Sequence, residues 1–465
     1  MHTVLSIFLV IAYGLVLTFV AIRARAARDF TQFSLAGRTI PLALVFGSLC
    51  ATYVGPGFSI GFVGKGYKAG FLFLGIGLAY TLQNILVGLF VAPRLRALPN
   101  CHTLGDAIGQ KYNRKCQILA GVISVSVCTL IAAVMAHAGA VVLNDIFGLS
   151  AFWSAAIVVT ITTLYTTFGG LRASVITDAF QFTAFAILLP VTLLLALGFH
   201  LSGGAETFVK EASVATSAGV DTIPGIKIIG LLAAFLLGET LIPPYANRAL
   251  ASETTRVSRN SFVLAGLFSI VWFIIMLSLG VIGRSIVPGV GDEDKVLLNL
   301  VKVIMPAEGY TLLLVVLVSV IMSSLDSLLN AGAVAFAEDV VRPVVRLSDK
   351  AALNVGRCAT IFIAAVAAVL AVFVPSIIAG LLICYTIWAS AILPALIIGL
   401  WAKRPRPLAA ILSMSAGVFV AMIAIIFMFR FPDEIEVIII PGLVVAVLAY
   451  AMGHWIGTVQ KEPKG

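Results

Sequence analysis

The sequence predicts an all-α integral membrane protein of about thirteen transmembrane helices, and three observations carry that expectation. Of its 465 residues 61% are hydrophobic and only 11% charged, against about 45–50% and about 25% in soluble domains. Apolar runs of bilayer-crossing length recur along the whole chain. Two of those runs, five helices apart, are interrupted near their middle by glycine and proline.

The elements follow in order. VLSIFLVIAYGLVLTFVAI, residues 4–22, carries its basic residues after the apolar core rather than before it, so it reads as a retained helix and not as a signal peptide. A bilayer core about 30 Å thick takes roughly twenty apolar residues per helix. Further spans are therefore expected near 40–64, 70–93, 117–144, 151–169, 174–199, 226–246, 261–283, 309–336, 358–374, 377–401, 408–429 and 436–456. An odd count puts the termini on opposite sides. With the N-terminus outside, most of the 30 Lys and Arg residues fall on the inner side, among them Arg94, Arg172, Arg248, Arg256, Arg342 and Lys403. The net charge of +9 is then a product of topology, the C-terminus is cytoplasmic, and no nucleic-acid partner is needed. The six cysteines have no metal-ligand spacing and read as packed thiols. The longest connections lie near 200–225, 284–308 and 337–357, and the first reads as a loop that can hold a short helix. The whole of 1–465 is thus one transmembrane domain.

The second span contains TYVGPGFSIG, with Gly55, Pro56 and Gly57 in mid-run; the seventh reads LLGETLIPPYANR, with Pro243, Pro244 and the acidic Glu239. Glycine weakens a helix interior, and proline removes a donor and clashes with the preceding turn. Backbone freed at membrane depth is tolerated only inside protein or beside a cavity. Either run alone is compatible with a simple kink. Paired breaks that open two sets of five helices are what an inverted repeat of a secondary transporter produces. The division is then an extra helix in 1–30, a first repeat in 40–200, a second in 226–402, and two further helices with a short tail in 407–465.

Four segments resemble the sodium/solute symporter family, whose members include sodium/proline, sodium/pantothenate, sodium/sialic acid and sodium/glucose cotransporters. They are FSLAGRTIP (33–41), GGLRASVITDAFQF (169–182), IMSSLDSLLNAGAVAFAEDV (321–340) and GLWAKRPRPLAAILSMSAG (399–417). The resemblance implies a LeuT-like fold, with spans two to six and seven to eleven as the repeats. It also implies sodium as the coupling ion and no organic cofactor.

Sodium is a hard cation that prefers oxygen. The resemblance puts its site at the carbonyls of Ala51, Val54 and Val320 with the hydroxyls of Ser323 and Ser324. The plainer alternative is that these serines bond back to helix carbonyls or join helices. Asp178 matches a carboxylate that binds a second sodium in some relatives, with Ser327 and Ser323 as partners. Val320 offers no hydroxyl where certain two-sodium relatives have one. Asp326 reads as an inner-facing structural or gating carboxylate, since an unpaired buried charge is costly.

A solute site is expected near the midplane from Tyr53, Gly57, Phe58, Gln83, Asn84, His137, Glu239, Thr240, Tyr385 and Trp388. Each has a bland alternative: Gln83 and Asn84 as glue between helices, His137 as a packed neutral ring, the aromatics as core. Glu239 in a broken helix could hold an ammonium, exchange a proton, or cap freed amides. The expectation is sodium-coupled symport of a small, zwitterionic or amine-bearing solute by alternating access. The protein would not be an enzyme and would need no obligatory protein partner. It would sit in the plasma membrane. The alternatives are proton coupling through Glu239, His137 or Asp178, a transporter-like sensor, and a passive channel.

Overall fold

The computed structural model describes residues 12–16, 19, 27, 29–202, 224–430 and 432–459. Regular structure among these is helical, with one isolated parallel bridge between Ile40 and Ser252. Among the described residues, eight helices are long and apolar enough to cross a membrane, or up to ten if each of two bent pairs is one span.

Of the first expected span only 12–16 and 19 are described; there Tyr13 donates to Ser319 Oγ at 2.6 Å and accepts from Gln181 Nε2 at 3.0 Å. The second span is α1 (Leu42–Tyr53) and α2 (Gly57–Ala69), which meet at 58°. The third is α3 (Leu72–Arg96) and the fourth α4 (Arg114–Phe147). The fifth and sixth form one helical run, α5 (Ala151–Leu201), interrupted at Gly170, whose φ of 61° and ψ of −168° leave the helical region. An unbroken helix of 51 residues would be about 76 Å long, more than twice the bilayer core, so two crossings join at that glycine.

The seventh span is again two pieces, α6 (Gly225–Leu237) and α7 (Pro243–Ala251). The chain leaves the helix at Gly238–Ile242, and Pro243 and Pro244 start α7 rather than interrupt a helix, the placement where a missing N–H costs least. Next come α8 (Thr255–Ile286), α9 (Ala307–Ala335) and α10 (Asp349–Leu370). The eleventh span, expected over 377–401, is α11 (Ile377–Ala391) and α12 (Leu393–Trp401), bent by 41° with Pro394 in the first turn of α12. α13 (Pro407–Arg430) and α14 (Ile439–Val459) complete the chain.

Polar side chains cap several of these helices, Asn113 accepting from Cys116 N at 3.0 Å and Thr254 from Val257 N at 3.1 Å. The 284–308 connection carries the helix Val296–Ile304. Most of the 200–225 segment lies outside the described residues. Five of the six cysteines are buried as expected, and Cys358 is exposed.

α9 is the spine of the bundle, packed against α4, α5 and α10. Of its most apolar stretch 89% is buried, against 22% for α5, so the serines and Asp326 of α9 face protein and not lipid. Both ends of the interior are closed. At the end where the basic residues collect, Ile40 N donates to Ala251 O at 3.2 Å and Glu253 N to Ile40 O at 2.9 Å. There Arg38 donates to the carbonyls of Leu250 (3.2 Å) and Leu98 (3.1 Å), and Arg96 to that of Ser252 (2.6 Å). At the other end Lys65 pairs with Glu293 at 2.9 Å.

Close helix contacts rest on glycine. A Cβ on Gly280 of α8 would lie 2.2 Å from Val63 O and 2.6 Å from Tyr67 N of α2, whereas one on Gly75 of α3 meets nothing within 4 Å. Gly280→Ala is expected to destabilise the detergent-solubilised protein by about 1–3 kcal/mol. Gly75→Ala should leave it unchanged or stabilise it by about 0.5–1 kcal/mol. Paired thermal melts check both; equal melting temperatures would refute the tight α2–α8 contact.

Candidate functional site

The first helix break frees the backbone at Tyr53–Pro56, and α9 comes up against it. A Cβ on Gly55 would lie 2.5 Å from Ser324 Oγ, so only glycine admits this approach. Ser323 Oγ donates to Val320 O at 2.9 Å and lies 3.2 Å from Ala51 O, and Ser324 Oγ reaches Val320 O at 3.4 Å. Two hydroxyls and two carbonyls therefore converge from two helices. The fifth expected ligand, the Val54 carbonyl, accepts from Ser59 Oγ at 2.6 Å. Ser323 and Ser324 are 0% and 3% exposed. A compact cluster of neutral oxygens suits a small hard cation.

The second break is braced from outside. With its amide oxygen turned towards the break, Gln83 accepts from Thr240 N at 2.7 Å, Glu239 N at 3.1 Å and Thr240 Oγ1 at 2.9 Å. Trp388 Nε1 donates to Thr240 O at 2.8 Å. Leu241 holds a left-handed φ of 50° there. Gln83, Thr240 and Trp388 thus support the break. Of the roles open to Glu239, capping the freed amides falls to Gln83 instead. Asn84 donates to Tyr80 O of its own helix at 3.2 Å and borders no cavity described here.

Between the breaks lies a cavity with ≈ 350 Å³ of empty space. Tyr53, Gly57, Phe58 and Glu239, expected at a solute site, are among the residues that line it. Thr52, Ile131, Met135, Tyr245, Leu328 and Leu381 also line it and were missed, being indistinguishable in sequence from helix core. Ser324 borders both the cavity and the oxygen cluster. Glu239 accepts from Tyr245 at 3.0 Å and from the Tyr385 hydroxyl. The Tyr53 ring packs on Tyr245 at 4.4 Å and on Tyr80 at 5.8 Å.

One expectation is corrected. His137 does not reach the cavity: its Nδ1 lies 3.2 Å from Ala371 O and its Nε2 4.0 Å from Asp294 Oδ2, towards the Lys65–Glu293 end. Ile131 and Met135 present the other face of α4 to the cavity. Arg248, assigned to the inner side by charge counting, is 1% exposed and pairs with the fully buried Asp178 at 2.7 Å. Ser327 lies beside Asp178, and Arg248 donates to both, to Ser327 Oγ at 2.5 Å. Asp326 accepts from Ser174 and Ser327, each at 3.1 Å.

Asp294, in the connection that covers the cavity end with Lys65, accepts from Ile377 N at 3.0 Å. Burial pushes its carboxyl up to about 6, the Ile377 N–H partly opposing this. A carboxyl raised above its unfolded value of 3.8 contributes stability that is full below about pH 4 and is lost as pH rises through about 6. Between those limits the wild type should lose about 2 kcal/mol relative to Asp294→Asn. Thermal melts of the two proteins against pH check this, and parallel curves would refute it.

Residues 33–417 match the model of the sodium:solute symporter family. Sodium/glucose cotransporter 2 of Rattus norvegicus is 26% identical over 389 residues, covering 72% of this chain and 57% of that protein. Sodium/proline symporter 2 of Staphylococcus saprophyticus is 24% identical over 488 residues, covering 98% and 93%. The solved structure of a sodium-coupled sialic acid symporter matches with a TM-score of 0.80 at 15% identity, covering 97% of this chain and 98% of that one. That likeness establishes the LeuT-like fold.

Proposed function

The chain belongs to the sodium:solute symporter family, and from that premise we propose that it takes up a small organic solute together with sodium by alternating access. The observation that carries the reading is the convergence of the Ser323 and Ser324 hydroxyls with the Ala51 and Val320 carbonyls at the first helix break. In this reading Ala51, Val54, Val320, Ser323 and Ser324 hold the ion. Ser324 touches both the oxygen cluster and the cavity, so an ion bound there stiffens one wall of the solute site. Sodium favours the arrangement in which α1 and α9 stay together, and it shifts the equilibrium only by its difference in affinity between states.

The solute is an amine or a zwitterion. Glu239 is the one carboxylate that lines the cavity, no Lys or Arg lines it among the described residues, and Tyr53, Phe58 and Tyr245 supply aromatic walls for a cation. A carboxylate on the solute would face the sodium side. Of the three groups considered for proton coupling only Glu239 borders the cavity, so that alternative would act there. The 40–200 and 226–402 inverted repeats, each opening with a broken helix, supply the rocking halves. The reading includes a plasma-membrane location with the N-terminus outside and the C-terminus in the cytoplasm.

Radioactive sodium tests this without knowledge of the solute. Wild-type protein should bind it saturably, Ser323→Ala should lose at least about tenfold in affinity, equal to about 1.4 kcal/mol, and Glu239→Gln should still bind. Absence of saturable binding in the wild type, with stability following pH instead, would replace sodium by protons.

A further inference from the structure

We propose that Arg248 is a tethered cation that closes the ion's path towards the basic end of the bundle and excludes a second sodium from Asp178. The inference rests on the sodium reading above for the ion itself, but its geometry is separate.

One turn nearer the basic end than the oxygen cluster, four side chains from four helices meet. Ser48 of α1 precedes Ala51 by three residues, and Ser327 of α9 follows Ser323 by four. Asp178 comes from α5 and Arg248 from α7. All four are at most 2% exposed. Arg248 donates from Nε to Ser48 Oγ at 2.7 Å, and from Nη2 to Asp178 Oδ2 at 2.7 Å and Ser327 Oγ at 2.5 Å. Its Nη1 donates to Pro244 O of its own helix at 2.9 Å, which fixes the stem of the fork. Ser48 Oγ in turn donates to Asp178 Oδ2 at 2.5 Å, and Ser327 Oγ to Ser323 O at 2.8 Å. The chain of bonds therefore runs from Asp178 through the guanidinium to the helix turn that carries the sodium-site hydroxyl.

Two consequences follow. Asp178 Oδ2 and Ser327 Oγ already accept from a guanidinium, a permanently charged group, and Asp178 Oδ1 is buried beside it with no hydrogen-bond partner of its own. Asp178 is thereby neutralised, and the residues present do not fit a second ion in this arrangement. Next, α1 leads into the first helix break and α7 leaves the second, while α5 and α9 form the surrounding spine. Any opening towards the basic end that separates the first pair from the second must break the fork. Arg248 acts through Asp178, Ser48 and Ser327 rather than on the sodium ion, and is a positioning residue.

Sodium-22 alone is the probe, with full-length protein in lipid vesicles and no solute added. Wild-type protein should bind one sodium per chain and conduct little sodium. Arg248→Gln with Asp178→Asn removes both charges while keeping groups that hydrogen-bond. It should still bind sodium saturably but pass it at least about tenfold faster, by the factor with which the fork favours the closed state. Arg248→Lys, which keeps the charge without the fork, should restore most of the tightness and shows that a change in flux is not misfolding. Two sodium ions per wild-type chain would overturn the exclusion. A double variant that binds sodium and leaks no more than wild type would overturn the closure, and so would one that loses sodium binding while wild type keeps it. Absence of sodium binding in the wild type itself would instead remove the underlying sodium reading.

Discussion

A bilayer offers no hydrogen-bond partner to backbone, and the rest of this structure depends on that constraint. Two helices are broken inside the protein, and each freed N–H and C=O must find a partner or cost several kcal/mol. At the first break the partners are the hydroxyls of Ser59 and Ser323, which reach the carbonyls of Val54 and Ala51. At the second they are Gln83 on the freed amides and the Trp388 ring N–H on the freed carbonyl of Thr240. The two solutions differ in chemistry. Hydroxyls on carbonyls can rotate and leave oxygens free for a cation, whereas an amide and an indole hold the other break in place.

The same economy explains α9. Its serines, asparagine and aspartate sit in an apolar helix because that helix is enclosed by α4, α5 and α10 rather than by lipid. Among helices in a membrane, burial of apolar surface does not itself drive association, and polar contacts together with close packing at small residues take that role. Gly55 against Ser324 and Gly280 against Val63 are such contacts, and they set how nearly the broken helix approaches its neighbours.

The Arg248–Asp178 pair brings two opposite charges into this interior near the oxygen cluster. Burying both ions costs several kcal/mol each, offset only by good geometry and further hydrogen bonds. Here Ser48, Ser327 and the Pro244 carbonyl supply those bonds. Such a pair adds little net stability but strongly penalises states in which one partner is left alone, which suits a contact that must be either whole or fully exchanged.

By itself the sequence determined the all-helical membrane architecture, the interruption of the second and seventh spans, and the serine-rich helix that faces the first interruption. Those features are local: apolar length, proline and glycine in mid-run, and hydroxyls spaced along one helix are all written within a few turns of chain. Sequence could not decide what lies across a helix interface. His137 and Met135 sit two residues apart on α4, yet only Met135 borders the cavity, because a helix turns about 100° per residue and the neighbours that define its inner face come from distant segments. Arg248 was counted with the basic residues of the inner side because its charge suits that rule, and only the tertiary structure supplied Asp178 to bury it. The bend of the eleventh span went unforeseen for the same reason, since one proline in a long apolar run is tolerated straight or bent according to what packs against it.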